Sequence, residues 1–264
     1  MSLDLVRIET EGRVATVTFD TGARANALSQ KLMRELTEAA RRFAGEPAMS
    51  AVILTGRAET FTMGADLRDP EGADVRRLGL AERRIGLRTG PAMCEAWEQV
   101  DALTICAIEG WCVGGGAALA VSCDLRVASD TSTIYVPEVE RGMNMSWGSI
   151  PRFVALVGPA RAKRIAGLCE KVSAETALSW GLVDHVTAPG STLAKAREIA
   201  EAAAKLPPTA LKMVKQDVNV AALALAKATA HRDLEAFALM QQTEDFKEGV
   251  KAFFEKRDPD FTGD

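Results

Sequence analysis

Histidine is nearly missing from this chain of 264 residues: only His185 and His231 occur, far apart in sequence. A Ser-His or Cys-His nucleophile system is therefore a poor expectation. The five cysteines, Cys94, Cys106, Cys112, Cys123 and Cys169, are odd in number and contain no Cys-x-x-Cys pair. No Cys/His cluster has the spacing of a zinc site, so no metal is expected. Cysteines in apolar surroundings behave as small hydrophobes, which fits a reducing, cytoplasmic setting. A basic excess is lacking as well: 32 Lys and Arg stand against 36 Asp and Glu, a net charge of −4. That composition offers nucleic acid no general phosphate-neutralising surface. No apolar run approaches the roughly 20 residues that span a bilayer, and no charged-then-apolar leader opens the chain. Neither GxGxxG nor GxxxxGK[ST] occurs among its glycines.

What is present is an ordinary globular composition, 47% hydrophobic and 26% charged. Alternation predicts two strands in Val6 to Phe19 around a turn at Glu11-Gly12. Ser29 is placed to cap a helix from Gln30 to about Phe43, with Leu32, Leu36, Ala39 and Ala40 as its apolar stripe. Ala51 to Gly56 and Thr104 to Glu109 read as buried strands, and Leu125 to Ala128 as another. Asp69 to Gly79 is charged and glycine-bearing, an exposed segment. Helices are expected over Ala92 to Val100, Ala117 to Cys123, Pro159 to Leu168, Ser173 to Trp180 and Thr192 to Lys205. Two more follow the Pro207-Pro208 break, Thr209 to Leu239 and Thr243 to Lys256. Strands thus end near residue 190, dividing the chain into 1–190 and a helical 191–264.

Two glycine-bearing segments follow buried strands. Phe61-Thr62-Met63-Gly64-Ala65-Asp66-Leu67 is the first. Glycine there permits a backbone geometry that turns the next N–H outward. Gly114-Gly115-Gly116 is the second, at a helix start where N–H groups have no intrahelical acceptor. By pattern alone such glycines also fit tight packing. Two N–H groups converging on one carbonyl oxygen would form an oxyanion hole.

The order of several motifs resembles the enoyl-CoA hydratase/isomerase (crotonase) superfamily. They are Arg24-Ala25-Asn26-Ala27-Leu28, Gly64-Ala65-Asp66-Leu67, Ile108 to Gly116, Cys123 to Ala128, Pro137-Glu138-Val139, Trp180 to Val183 and Glu248 to Arg257. The resemblance implies an α/β fold, a spiral of ββα units with a C-terminal helical trimerisation region. It implies that Ala65 and Gly115 donate the oxyanion-hole N–H groups to an acyl-CoA thioester. Arg24, Ala25, Ala27, Met63, Asp66 and Leu67 would line the CoA site, and Lys256 would approach a CoA phosphate. CoA enters as part of the substrate, with no separate cofactor. Homotrimers or hexamers (dimers of trimers) are implied, with the C-terminal helices at the subunit contacts.

Hydratases of this family resemble one another in using two glutamates. Here the first position is Ala118 and the second is Glu138. A single carboxylate can move a proton from one carbon of the acyl chain to another. The departure therefore leans toward double-bond isomerisation over hydration. Hydration with water placed by Ser146 or Asn144 stays open, as do thioesterase, decarboxylase and lyase reactions and non-catalytic acyl-CoA binding. Glu140 reads as a surface or ion-pair residue. Trp111, Met143, Met145 and Trp147 are large enough to wall an acyl pocket, or to be ordinary core.

Overall fold

A computed structural model describes residues 3–264; Met1 and Ser2, at the start of the stretch read for a leader, lie outside the described residues. The predicted hairpin forms from β1 (Val6–Glu11) and β2 (Val14–Phe19), antiparallel and in register from Val6 opposite Phe19 to Glu11 opposite Val14. Ser29 caps α1 (Gln30–Arg42), its hydroxyl accepting the Leu32 N–H at 3.2 Å. From β2 the sheet continues in parallel through β3 (Ala51–Thr55), β4 (Leu103–Ile108), β6 (Leu125–Ser129) and β9 (His185–Thr187). All five residues of β3 are buried, as a parallel strand covered on both faces requires.

A second, smaller sheet stands beside the first. It joins β5 (Trp111–Val113), β7 (Thr133–Tyr135) and β8 (Val172–Ser173). These strands are two or three residues long. They lack a readable alternation, which is why periodicity did not reveal them. Thr62 extends the small sheet by a parallel bridge to Cys112, and Leu28 bridges Ala65. Each turn of chain therefore gives one strand to the large sheet, one segment to the small layer, and then a helix. The helices closing these turns are α2 (Pro70–Arg77), α3 (Leu80–Gly86) and α4 (Thr89–Glu98), then α5 (Gly115–Ala120), then α6 (Ser149–Ala166). This is the spiral of ββα units that the resemblance implied.

Two stretches depart from the expected helices. The helix expected from Pro159 does start there, after Gly158 leaves helical conformation (φ 77°, ψ 165°), but an unexpected helical stretch from Ser149 precedes it within α6. α7 (Ala174–Trp180) and α8 (Thr192–Ala204) fall where expected. The single helix expected over Thr209 to Leu239 is instead three: α9 (Pro208–Ala222), α10 (Ala226–Ala230) and α11 (Asp233–Met240). The breaks turn α11 back onto the body, where Glu235 pairs with Arg84 and Asp233 accepts the Gly148 N–H at 2.7 Å. α12 (Glu244–Glu255) ends the helical series.

The core has two parts. Leu32 and Leu36 of α1 pack with Phe19, Leu54 and Trp97 on one side of the large sheet. On the other, Ala196, Ala200 and Ala203 of α8 meet Ala51, Ile53 and Ile105. Small residues about one turn apart let α8 lie close against the sheet. Glu109 fixes its start: Oε1 accepts the Gly190 N–H at 3.0 Å and the Thr192 hydroxyl at 2.7 Å. Among the described residues, no helix is long and apolar enough to cross a membrane.

Candidate active site

The loop after β3 is held by backbone pairing on both sides. Met63 N–H donates to Ala25 O, Leu28 N–H to Gly64 O, and Asp66 N–H to Leu28 O at 3.0 Å. This pairing uses the groups on either side of Ala65, so the Ala65 N–H faces away from Leu28. Gly64 is required at its position: φ is +87°, and a Cβ there would lie 2.7 Å from the Val113 carbonyl oxygen. The same hypothetical Cβ would lie 3.5 Å from the Gly115 nitrogen, which shows how closely the two glycine segments approach. Gly115 is the first residue of α5, so its N–H has no acceptor within the helix. Asn26 pins the facing loop from beneath, donating to Phe61 O at 2.8 Å and Phe19 O at 3.2 Å.

Glu138 follows Pro137 and enters a short 3₁₀ turn, Val139–Arg141. Its carbonyl accepts from Arg141 and Met143, which closes the turn. Its carboxyl lies against Gly114: a Cβ on that glycine would sit 2.5 Å from Oε1. Oε2 is buried and takes no hydrogen bond from a described residue. This desolvation pushes the carboxyl up to about 7, against a partial opposing pull from the Arg141 guanidinium. A glutamate near 7 is balanced to accept and return a proton. Glu140, two residues on, is exposed and accepts from the Tyr135 hydroxyl. Ala118 is fully buried in α5, so no carboxylate stands where a hydratase pair would place its first member.

Trp147 is the most constrained side chain nearby. Its φ is +60°, a left-handed conformation costing of order 1–3 kcal/mol for a bulky residue. Its indole lies against Gly115 and Gly90, whose α-carbons have no room for a side chain. The Trp147 carbonyl accepts from Arg152 at 3.0 Å, and Arg152 is paired with Glu98 at 2.6 Å. Beside this indole is a cavity of about 220 Å³. Ala65, Asp66 and Leu67 form one wall with Met143 and Trp147. Phe237, Gln241, Phe246, Val250 and Phe254, from α11, α12 and the turn after α11, form the other.

The structure separates the sequence-predicted residues into two groups. Arg24, Ala25 and Met63 line an outer cleft of about 600 Å³. Trp111 lies with them, 39% exposed, so it does not share the wall of Met143 and Trp147 as expected. β5 carries Trp111 to the outer side of the small sheet, while its neighbour Cys112 is buried. Ala27 is half-buried beside Asn26, and Ser146 is buried with its carbonyl accepting from Ser149. Lys256 is the exposed, left-handed cap of α12, outside the linings of both cavities.

Sequence reasoning missed the α11–α12 wall. The spacing Phe246, Val250, Phe254 was a legible apolar stripe, but the C-terminal helices had been assigned to subunit contacts. α12 also docks on the turn that holds Glu138. A Cβ at Gly249 would lie 2.5 Å from Arg141 C, and one at Gly142 would lie 2.5 Å from Asp245 O.

Residues 9–264 match the family described as Enoyl-CoA hydratase/isomerase. The chain belongs to that family. It is 32% identical over 259 residues to a short-chain-enoyl-CoA hydratase of Clostridium acetobutylicum, covering 97% of each chain. It is 34% identical over 265 residues to a probable enoyl-CoA hydratase of Rhizobium meliloti, covering 99% of each. The enoyl-CoA hydratase/isomerase structure from Pseudoalteromonas atlantica superposes with a TM-score of 0.87 at 27% identity, over 98% of this chain and all of that one. This enoyl-CoA hydratase/isomerase family member is thus an α/β enzyme of crotonase fold.

Proposed function

We propose that this enzyme shifts a double bond in an acyl-CoA thioester, with Glu138 as the single acid/base. The CoA portion lies along Arg24, Ala25, Ala27 and Met63, and the acyl group enters the inner cavity past Asp66 and Leu67. Ala65 and Gly115 donate to the thioester oxygen. The Glu138 carboxylate removes a proton from C2 of a 3-enoyl thioester, and the electron pair moves onto that oxygen as an enolate. The protonated Glu138 then returns the proton at C4, leaving the double bond between C2 and C3. CoA takes part only as a portion of the substrate, and the scheme needs no other cofactor.

One observation carries this reading: a buried carboxyl raised to about 7 lies against Gly114, with Ala118 in place of a second carboxylate. The test is a panel of 3-enoyl-CoA and 2-enoyl-CoA esters of short, long and ring-bearing acyl groups, with products read by mass spectrometry. A double-bond shift without mass gain, lost in Glu138→Gln, supports isomerisation. Thioester hydrolysis, loss of carbon dioxide or chain cleavage would replace it with another enolate reaction. Tight binding without turnover across the panel would leave an acyl-CoA-binding protein.

Hydration is the second reading, and a specific observation favours it. Asn144 Oδ1 is buried without a partner among the described residues, as is Glu138 Oε2. Two such acceptors on one loop can hold a water for attack at C3. A gain of one water in the 2-enoyl product, lost in Asn144→Ala with isomerisation retained, would establish it. The reading also takes 1–190 as the catalytic spiral and 191–264 as the oligomerisation region of a cytoplasmic trimer or hexamer. Exposed Met213, Val214, Val218 and Val220 on α9 support that assignment, and light scattering tests it.

A further inference from the structure

The inner cavity is lined mainly by apolar side chains, with Gln30, Asp66, Asp69 and Gln241 as its polar members. Gln241 stands on the wall built from α11 and α12, between Phe237 and Phe246. Its Oε1 is buried and takes no hydrogen bond from a described residue. The other polar residues of this lining are differently placed. Asp69 accepts from the Gln30 and Glu71 N–H groups, and Asp66 from the Arg68 N–H. A buried amide with no partner is destabilising, and a leucine of similar size would fill the same space without that cost. The loss is recovered when a bound group supplies the partner.

We infer that the acyl group taken into this cavity carries a hydroxyl, which pairs with the Gln241 amide. This rests on the reading that the cavity holds the acyl portion of a CoA ester. A hydroxyl donates to the amide oxygen, which is the need that the side chain leaves open. An apolar cavity of about 150 Å³ takes a benzene ring, so one of about 220 Å³ has room for such a ring with a substituent. That matches a medium-length hydroxylated chain or a single hydroxylated ring, and the two are arms of one experiment. Sites that hydrogen-bond a substrate group discriminate strongly against the analogue lacking it.

The probes are matched pairs: oct-3-enoyl-CoA against its ω-hydroxy form, and a phenyl-bearing enoyl-CoA against its hydroxyphenyl form. The wild-type enzyme is expected to favour the hydroxylated member of at least one pair by about 10- to 100-fold in kcat/KM. Gln241→Leu is expected to reverse that order, gaining on the alkyl or phenyl ester and losing on the hydroxylated one. The same pairs, as saturated esters competing for Glu138→Gln protein, read binding without turnover. Equal kcat/KM and equal inhibition constants within both pairs overturn the inference, whatever reaction is found. No double-bond shift but a retained hydroxyl preference in binding overturns the isomerase scheme and leaves this inference standing. If Gln241→Leu does not fold, the wild-type pairs decide alone.

Discussion

The two walls of the inner cavity are built on different terms. In the proposed scheme the wall that carries Ala65 works through a backbone N–H, held by pairing to Leu28 and facing the start of α5 at Gly115. Side chains matter there chiefly by being absent, as at Gly64. The α11–α12 wall works through side chains alone, Phe237, Gln241, Phe246, Val250 and Phe254. On the proposed scheme, thioester polarisation belongs to main chain that few substitutions can alter. Choice of acyl group belongs to side chains that can change freely. Substitutions on the first wall should change rate for every substrate, and those on the second should reorder substrates.

The largest effect is expected at the Glu138 carboxylate beside Gly114. Glu138→Gln should lower kcat by about 100- to 10,000-fold on any ester the enzyme turns over. For the wild type, the base form of Glu138 is populated as pH rises through about 7. Rate should therefore fall tenfold per pH unit well below that value and level off above it. A pH-independent rate between 5 and 8 would remove Glu138 from the proton-transfer step. Next comes Gly64→Ala, whose Cβ would meet the Val113 carbonyl 2.7 Å away and displace the following N–H. A fall in kcat of about 100- to 1,000-fold, equal across substrates, is expected if one donor is lost. Unequal effects across acyl chains would show that this wall also selects.

Val250→Ala should do the opposite, leaving kcat on short chains within a few-fold and favouring longer ones. Each additional buried CH₂ is worth about 0.8 kcal/mol, so selectivity should move by about fourfold per carbon in kcat/KM. The smallest effect is at Lys256, exposed with φ +56°. Lys256→Gly should raise stability by up to about 1 kcal/mol in thermal unfolding, since glycine adopts that conformation without strain. A simultaneous rise in KM of up to about fivefold would show that its ammonium holds a CoA phosphate, because exposed ion pairs are worth about 1 kcal/mol or less.

The first wall was legible in the sequence and the second was not, for the same reason the walls differ. Glycines at Gly64 and Gly114 to Gly116 announce backbone needs locally, after strands whose burial shows in Ala51 to Thr55 and Leu103 to Ile108. Even the cap at Ser29 is decided within one turn of chain. The partner of α12 is decided elsewhere, by non-helical residues around Leu223 and by Asp233 catching the Gly148 N–H. Read as one helix from Thr209 to Leu239, that stretch gives no hint that Phe246, Val250 and Phe254 return to the site. Asn26 shows the same limit: the motif Arg24 to Leu28 does not disclose that its carboxamide ties Phe19 to Phe61.

The docking of Gly249 on Arg141 and of Gly142 on Asp245 has a mechanical meaning. In the proposed scheme the helix that roofs the acyl cavity and the turn that aims the base touch main chain to main chain, braced by the Arg141 guanidinium stacked 4.2 Å over the Phe253 ring. A cargo that lifts the roof also swings the base. Fit and reactivity are then a single adjustment: a poorly fitting acyl group is turned over slowly even when it binds well.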